Sequence, residues 1–312
     1  MKRVFDYIRI MRLDHWIKQL FVVPGIVMGL VLVESHIDKE MLIDIVIGFI
    51  ATCIIASSNY VINEWLDAKT DKYHPIKKHR SVVENDLNQY IVYTLYFSLA
   101  IIGLIIGYTL SLRFFIVLLC LWIMGIIYNV KPIRSKDVPY IDVLTESINN
   151  ALRLLLGWFV VTGEYYPPIS VVMGYWFAGA FLMNTKRLAE YRMIGDKNIA
   201  QQYRKSFKYY SITSLLLISV FYGMLSVLFI GIFLIKYRIE LILFMPFLIG
   251  LFCYYFYIAF KDDSAAQRPE KLYKEKGLLI YVGICIALFI VLMQVDIPWL
   301  NVFTVKELVP IR

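Results

Sequence analysis

Charge is what this sequence has least of: 18% of its 312 residues are Asp, Glu, Lys or Arg, while 60% are hydrophobic. Soluble domains average about 25% charged and 45–50% apolar, so a soluble fold is excluded. An aromatic share of 16% excludes disorder. Cysteine is scarce as well. Cys53, Cys120, Cys253 and Cys285 each lie inside an apolar stretch, without a CxxC pair or a neighbouring histidine. That pattern excludes a disulfide scaffold and suggests neither zinc nor redox chemistry. Low-complexity tracts and linkers are lacking too, so residues 1–312 read as one integral-membrane unit. The first apolar run does not read as a cleavable signal, because Asp6 and Asp14 interrupt the bases before it and no small-residue cleavage site follows.

What the chain does have is apolar stretches that repeatedly approach the ~20 residues needed to cross a bilayer. They predict an all-α, polytopic membrane protein of nine spans, at about 17–33, 41–64, 89–110, 113–129, 139–161, 168–188, 208–235, 239–260 and 277–295. With alternating sides, most of the 32 lysines and arginines fall on one face, in segments 2–18, 69–80, 131–136, 186–208 and 261–276. Only Lys39, Arg113, Lys236, Arg238, Lys306 and Arg312 fall on the other, and Arg153 lies within a span. The positive-inside rule then puts the N-terminus and the loaded face in the cytoplasm of a multi-pass cell-membrane protein. The net charge of +8 belongs to those loops and does not call for nucleic acid.

At the inner end of the second span, Asn59, Asn63, Asp67 and Asp71 recur every four residues, which sets four oxygen-bearing side chains along one helical face. Carboxylates at that spacing repel unless a cation lies between them. An oxygen-only set suits Mg2+, which keeps several waters and is completed by substrate phosphates. The plain alternative is the solvated end of a helix, paired with Lys69 or Lys72. The loop Lys72-Tyr73-His74-Pro75-Ile76-Lys77-Lys78-His79-Arg80 favours the metal reading, since a metal-diphosphate site needs cations for the remaining oxygens. Arg153, about fourteen residues into the fifth span, shares a face with Glu146, Asn149 and Asn150. It reads either as a phosphate ligand or as the structural partner of Glu146.

Asn63-x-x-x-Asp67-x-x-x-Asp71 in the second of nine helices resembles the first signature of the UbiA superfamily of intramembrane prenyltransferases. The stretch Asp71-Lys72-Tyr73-His74-Pro75-Ile76-Lys77-Lys78-His79-Arg80 resembles the D-x-x-HP-x-K-x-x-R pattern of its decaprenyl-phosphate phosphoribosyltransferase branch, with Glu64 and Ser81 as departures where Asp and Pro are usual. Arg12 with His15-Trp16-Ile17-Lys18-Gln19 looks like that branch's opening motif. Tyr128 with Lys131, Asp142 and Leu152-Arg153 resemble its middle elements. Lys186-Arg187-Leu188-Ala189-Glu190 and Arg268-Pro269-Glu270-Lys271-Leu272 resemble its later ones.

The resemblance implies a nine-helix UbiA-like bundle and a Mg2+-dependent transferase. It would move a 5-phosphoribosyl group from phosphoribosyl diphosphate to a polyprenyl phosphate in cell envelope biosynthesis. Asn63, Asp67 and Asp71 would be the catalytic metal ligands. Lys18, Lys72, His74, Lys78, Arg80, Tyr128, Lys131, Arg153, Lys186, Arg187 and Glu190 would bind substrate. Aromatic prenyltransferases of the superfamily carry a second aspartate-rich motif after the sixth helix; here Lys186, Arg187, Glu190, Arg192 and a lone Asp196 stand there. That cation-rich version suits a donor with an additional phosphate. The nearest alternative moves a prenyl chain to an aromatic or other small acceptor. A transporter is a rival of another class, but it lacks support from paired broken helices.

Overall fold

The computed structural model describes residues 2–33, 37–74, 76–261, 264–267, 272 and 274–304. Pro75, Arg268, Pro269, Glu270, Lys271, Lys306 and Arg312 lie outside the described residues. Among those described, the regular elements are all helical: α1 (Lys2–Ile10), a 3-10 stretch Leu13–Val22, α2 (Val23–Leu32), α3 (Lys39–Asp71), α4 (Ser81–Glu84), α5 (Gln89–Leu110), α6 (Leu112–Asn129), α7 (Ile141–Val161), α8 (Ile169–Ile194), α9 (Lys197–Tyr203), α10 (Ile212–Tyr237), α11 (Met245–Ala259) and α12 (Lys276–Gln294).

Local sequence fixes where these helices start. Asp38 caps α3 by accepting from the Met41 amide, and Asn88 caps α5. Ser111 ends α5 and caps α6 at once, so one extended residue reverses the chain. At the start of α10, Ser211 and Ser214 form a reciprocal capping box.

Seven of the described helices are long and apolar enough to cross a membrane: Val4–Leu32, Lys39–Asp71, Gln89–Leu110, Leu112–Asn129, Ile212–Tyr237, Ile239–Ala259 and Lys276–Gln294. Helices α7 and α8 occupy the places of the expected fifth and sixth spans but fall outside that set. Asp142, Glu146, Asn149, Asn150 and Arg153 make α7 more polar, as Asn184, Thr185, Lys186, Arg187 and Glu190 do α8. The bundle's polarity is inverted relative to a soluble protein. Large apolar side chains such as Ile101, Leu217 and Met224 face outward, whereas Asp142, Asn184, Thr185, Arg187, Glu190 and Ser219 are buried.

Small residues set the close approaches that position the cavity. A Cβ on Gly25 would stand 2.0 Å from the Leu154 carbonyl oxygen, and one on Gly157 would stand 1.9 Å from that of Val22. Glycines thus press α2 directly onto α7. A Cβ on Gly125 would meet the Asn59 Oδ1 at 2.0 Å, where Asn59 donates to the Leu121 carbonyl at 2.9 Å. Asn59 is therefore a clamp between α3 and α6. Around these contacts, Ile55, Phe114, Leu118, Leu121, Leu156 and Trp158 form one apolar core.

Candidate active site

Helix α3 continues two turns beyond its expected apolar end, carrying the ladder with it to Asp71. Its Asn63, Asp67 and Asp71 line a cavity of about 660 Å3, bounded opposite by α7, α8 and the α9 region. Lys18, His74, Arg80, Tyr128, Arg153, Lys186, Arg187 and Glu190 also line it. Three expected ligands do not: Lys72 and Lys78 are exposed on the outer side of their loop, and Lys131 lies on a neighbouring cavity. Arg192 points away as well, its guanidinium lying 4.6 Å from the Phe260 ring centre.

Each carboxylate of the ladder has its own cations. Asp67 accepts from Lys136 at 2.5 Å and from Arg134 at 3.0 Å. Asp71 accepts from Arg80 at 2.5 Å. Asn63 donates to the Asn129 Oδ1, which Lys136 also approaches, at 2.8 Å. The like-charge repulsion expected along the ladder is thus offset by bases from the 130–137 turn and the 72–80 loop. Burial lowers the Lys136 ammonium to about 8, with Asp67 opposing the shift. For Arg80, burial works against the charge, but Asp71 and Glu64 outweigh it and raise the pKa.

The 72–80 loop is folded inward by His74. Its Nδ1 accepts the backbone N–H groups of Ile76 and Lys77 at 3.1 and 3.2 Å, and its ring packs edge-on against Tyr203. The Nε2 is buried without a hydrogen-bond partner among the described residues. Burial, followed by the charge of Lys77, lowers this imidazole to about 3, so it is neutral. The turn aims Lys77 inward and leaves Lys78 outside. Lys77 pairs with Glu190 at 3.0 Å and contacts the Tyr203 hydroxyl.

The opposite wall is an ionic network in which charge is paired, although the Arg187 Nε, Glu190 Oε2 and Arg204 Nε have no hydrogen-bond partner among the described residues. Arg187, 1% exposed, contacts Glu146, the Tyr128 hydroxyl at 3.1 Å, Asp142 at 3.5 Å and Glu190 at 3.5 Å. Asp142 also accepts from Arg204, Ser206 and Tyr210, at 3.4, 3.2 and 2.6 Å. Burial opposes the Arg204 charge, yet Tyr128, Tyr203, Glu190 and Asp142 raise its pKa well above the ordinary value.

Deeper in the cavity the chemistry changes. Arg153 donates to Gln19 at 2.7 Å and Asn150 at 3.0 Å, both neutral. The pairing with Glu146 considered from the sequence is not formed; Glu146 is taken by Arg187 and Tyr128. The Nε2 of Gln19, and the His15 Nδ1 and Asn149 Oδ1 of two residues that line the cavity, are buried without hydrogen-bond partners among the described residues. A phosphate or hydroxyl group entering here would meet groups that the protein leaves unsatisfied.

Lys77, Asn129, Arg134, Lys136, Tyr203 and Arg204 join the site although they are not among the ligands expected from the sequence. Lys77 had a signal in its loop. Arg134, Lys136 and Arg204 had none beyond belonging to basic loops, because their partners lie far away in the sequence.

A model of the UbiA prenyltransferase family matches residues 21–282. The decaprenyl-phosphate phosphoribosyltransferase of Mycolicibacterium smegmatis is 25% identical over 211 residues, covering 67% of this chain but only 63% of the relative. The nodulation protein NoeC of Azorhizobium caulinodans is 24% identical over 228 residues, 73% of this chain and 71% of that protein. Among solved structures, a UbiA homologue from Archaeoglobus fulgidus bound to GPP and Mg2+ superposes with a TM-score of 0.68 at 18% identity, covering 93% of this chain and all of that one. At that identity the likeness is one of fold.

Proposed function

The chain belongs to the UbiA prenyltransferase family, and from that premise we propose that it is a Mg2+-dependent membrane transferase moving a 5-phosphoribosyl group from phosphoribosyl diphosphate to a polyprenyl phosphate. In this reading residues 1–312 form one domain of nine spans, with α7 and α8 crossing the membrane as polar-lined helices and the cavity facing the cytoplasm. The observation that carries the reading is the cation surplus of the cavity. Beyond the bases paired to the ladder, Lys186 and Arg153 line the cavity, and the hydrogen-bond partners of Arg153 among the described residues, Gln19 and Asn150, are neutral. A prenyl diphosphate would need no second phosphate subsite. The phosphoribosyltransferase among the relatives supports the same choice.

The donor set fits Mg2+. Asn63, Asp67 and Asp71 supply oxygen only, and no cluster of three His, Cys, Asp or Glu side chains able to hold a metal alone occurs among the described residues. Such a site suits an ion completed by water and substrate phosphates. When bound, Mg2+ would neutralise charge on the leaving diphosphate.

The chain's own residues then position and neutralise. Arg80 and Lys77 would take diphosphate oxygens as they give up carboxylates, and Lys186 and Arg153 would hold the phosphates that do not leave. The C1–O bond to the diphosphate breaks while a lipid phosphate oxygen bonds to C1, through an oxocarbenium-like state. The acceptor is already anionic, so no general base is required, and in-line attack inverts C1.

Mass spectrometry of lipids is the test, after phosphoribosyl diphosphate and a polyprenyl phosphate are added to membranes containing the chain. A phosphoribosylated lipid with equimolar pyrophosphate is expected. Prenylation of an aromatic acceptor, with the ribosyl donor untouched, would replace the reading with the prenyltransferase one.

A further inference from the structure

Behind Asp67, Arg134 and Lys136 lies a second cavity of about 780 Å3 that the proposed reaction does not use. The two cavities share Asp67, Asp71, Asn129, Tyr203 and Arg204, so they adjoin at these residues. The second one has its own cations, Lys69, Lys131 and Lys205, all exposed at its rim. Its further carboxylates are Asp86 and Asp137, and Lys205 lies 3.2 Å from Asp137.

Two features mark the partition as more than a solvated surface. Arg134 adopts a left-handed backbone, φ 31°, which a non-glycine residue holds only when its surroundings impose it. Its guanidinium reaches Asp67 at 3.0 Å, Asp137 at 3.3 Å and the Asn129 carbonyl at 3.2 Å. Arg204, which borders both cavities, has a buried Nε without a hydrogen-bond partner among the described residues. Asp67 joins Lys136 to Arg134, and Asp137 joins Arg134 to Lys205, with Arg204 and Lys131 on the wall of the same cavity.

We propose that the second cavity is a pyrophosphate site, which receives the leaving group from the first cavity across the Asp67–Lys136–Arg134 partition and passes it to water. The proposal rests on the diphosphate-donor part of the reading above. Breaking the C1–O bond leaves pyrophosphate with that oxygen and its electron pair, and no proton or co-reactant is needed. A compact anion of high charge fits a cation-lined vestibule, whereas the lipid acceptor requires the apolar-flanked first cavity.

Two measurements on the full chain in detergent test this. In the first, Lys69→Gln/Lys205→Gln, which alters rim residues outside the reaction site, should weaken product inhibition by pyrophosphate roughly 3–10-fold. Donor KM should change less than about twofold. In the second, pyrophosphate should slow thiol labelling of Asn85→Cys, at the wall of this cavity, read at that position by mass spectrometry. Equal shifts in donor KM and inhibition constant would mean a single anion site and overturn the proposal. Unchanged inhibition, or labelling indifferent to pyrophosphate, would overturn it as well. Phosphoribosyl and prenyl donors both release pyrophosphate, and the labelling needs no turnover, so failure of the ribosyl assignment remains distinguishable from failure here.

Discussion

The two walls of the first cavity are both charged, but they are built in opposite ways. On the α3 wall, Asn63, Asp67 and Asp71 come from one helix at a constant spacing, and their partners Arg80, Arg134 and Lys136 come from turns at the membrane end. On the facing wall, Arg187 is surrounded by Tyr128 from α6, Asp142 and Glu146 from α7 and Glu190 from its own helix. A carboxylate whose cation sits on a turn can exchange it for a metal-bound diphosphate. A guanidinium surrounded by three carboxylates and a phenol has its charge already balanced, and only its Nε is left without a hydrogen-bond partner among the described residues. Burial and charge alone therefore do not mark a ligand site; the partners do. By that standard Arg153, held by the two neutral amides of Gln19 and Asn150, belongs with the α3 wall.

The largest effect that would break this contrast lies on the ladder. Asp67→Asn or Asp71→Asn should lower turnover by on the order of 10^3-fold, since each removes a metal-holding charge at a site where stabilisation amounts to several kcal/mol. The unfolding midpoint should fall somewhat, because the amide keeps the shape but leaves Lys136 and Arg134, or Arg80, without their carboxylate; the fraction that folds should still lack activity. Poor yield with normal specific activity in the folded fraction would make the ladder structural.

Arg187→Met should behave in reverse. It strands Asp142, Glu146 and Glu190 in a buried network, and removing one partner of such a network typically costs about 3–5 kcal/mol of stability. Thermal unfolding in detergent should show a much lower midpoint. A variant that keeps its midpoint but loses donor affinity would move Arg187 to the ligand side, as the sequence resemblance implies.

The same contrast explains what the sequence disclosed. Residues 89–110 were expected as a helix and are one, because both ends are marked by caps and by a drop in apolarity. The second and sixth apolar spans are expected to end at about 64 and 188; α3 coils on to Asp71, as the ladder's helical spacing requires, and α8 to Ile194. Charge marks where lipid stops, not where the backbone stops coiling. The ladder was legible because helical spacing is local. Arg134, Lys136 and Arg204 were not, since loop geometry alone carries them to Asp67 and Asp142. The choice between Lys77 and Lys78 turned on a one-residue phase that only the His74 turn defines. Arg192, grouped with its neighbours in sequence, lies against Phe260.

Arg153→Gln and Lys186→Gln sharpen the contrast at intermediate strength. Arg153→Gln strands no carboxylate, since its hydrogen-bond partners are Gln19 and Asn150, so its stability should hold; Lys186→Gln also removes a charge that supports Glu146 and Glu190, and its midpoint should fall modestly. Loss of a charge-assisted phosphate contact, worth roughly 1.5–3 kcal/mol, should lower donor kcat/KM by about 10–150-fold, mainly through KM. At least one of the two should discriminate between phosphoribosyl diphosphate and an analogue lacking the 5-phosphate. Equal losses with both donors in both variants would remove the second-phosphate role from this end of the cavity.

The smallest effect concerns His74, which touches both walls through the loop it folds and through Tyr203. Its Nδ1 accepts two backbone N–H groups, a task that the Oδ1 of an asparagine can take over. His74→Ala should cost about 1 kcal/mol more than His74→Asn. Acid should separate wild type from His74→Asn in a defined direction. Burial holds this imidazole at about 3, below its ordinary 6.5, so below pH 6.5 the unfolded chain takes up a proton that the folded chain refuses. The stability contributed by His74 is therefore complete above pH 6.5 and falls as pH drops toward 3. His74→Asn lacks that proton. Its deficit relative to wild type should shrink by roughly 1–2 kcal/mol between pH 7.5 and pH 5, read as a converging pair of unfolding midpoints. Midpoints that keep the same separation at both pH values would show that His74 titrates alike in both states, and that the loop does not bury it as described.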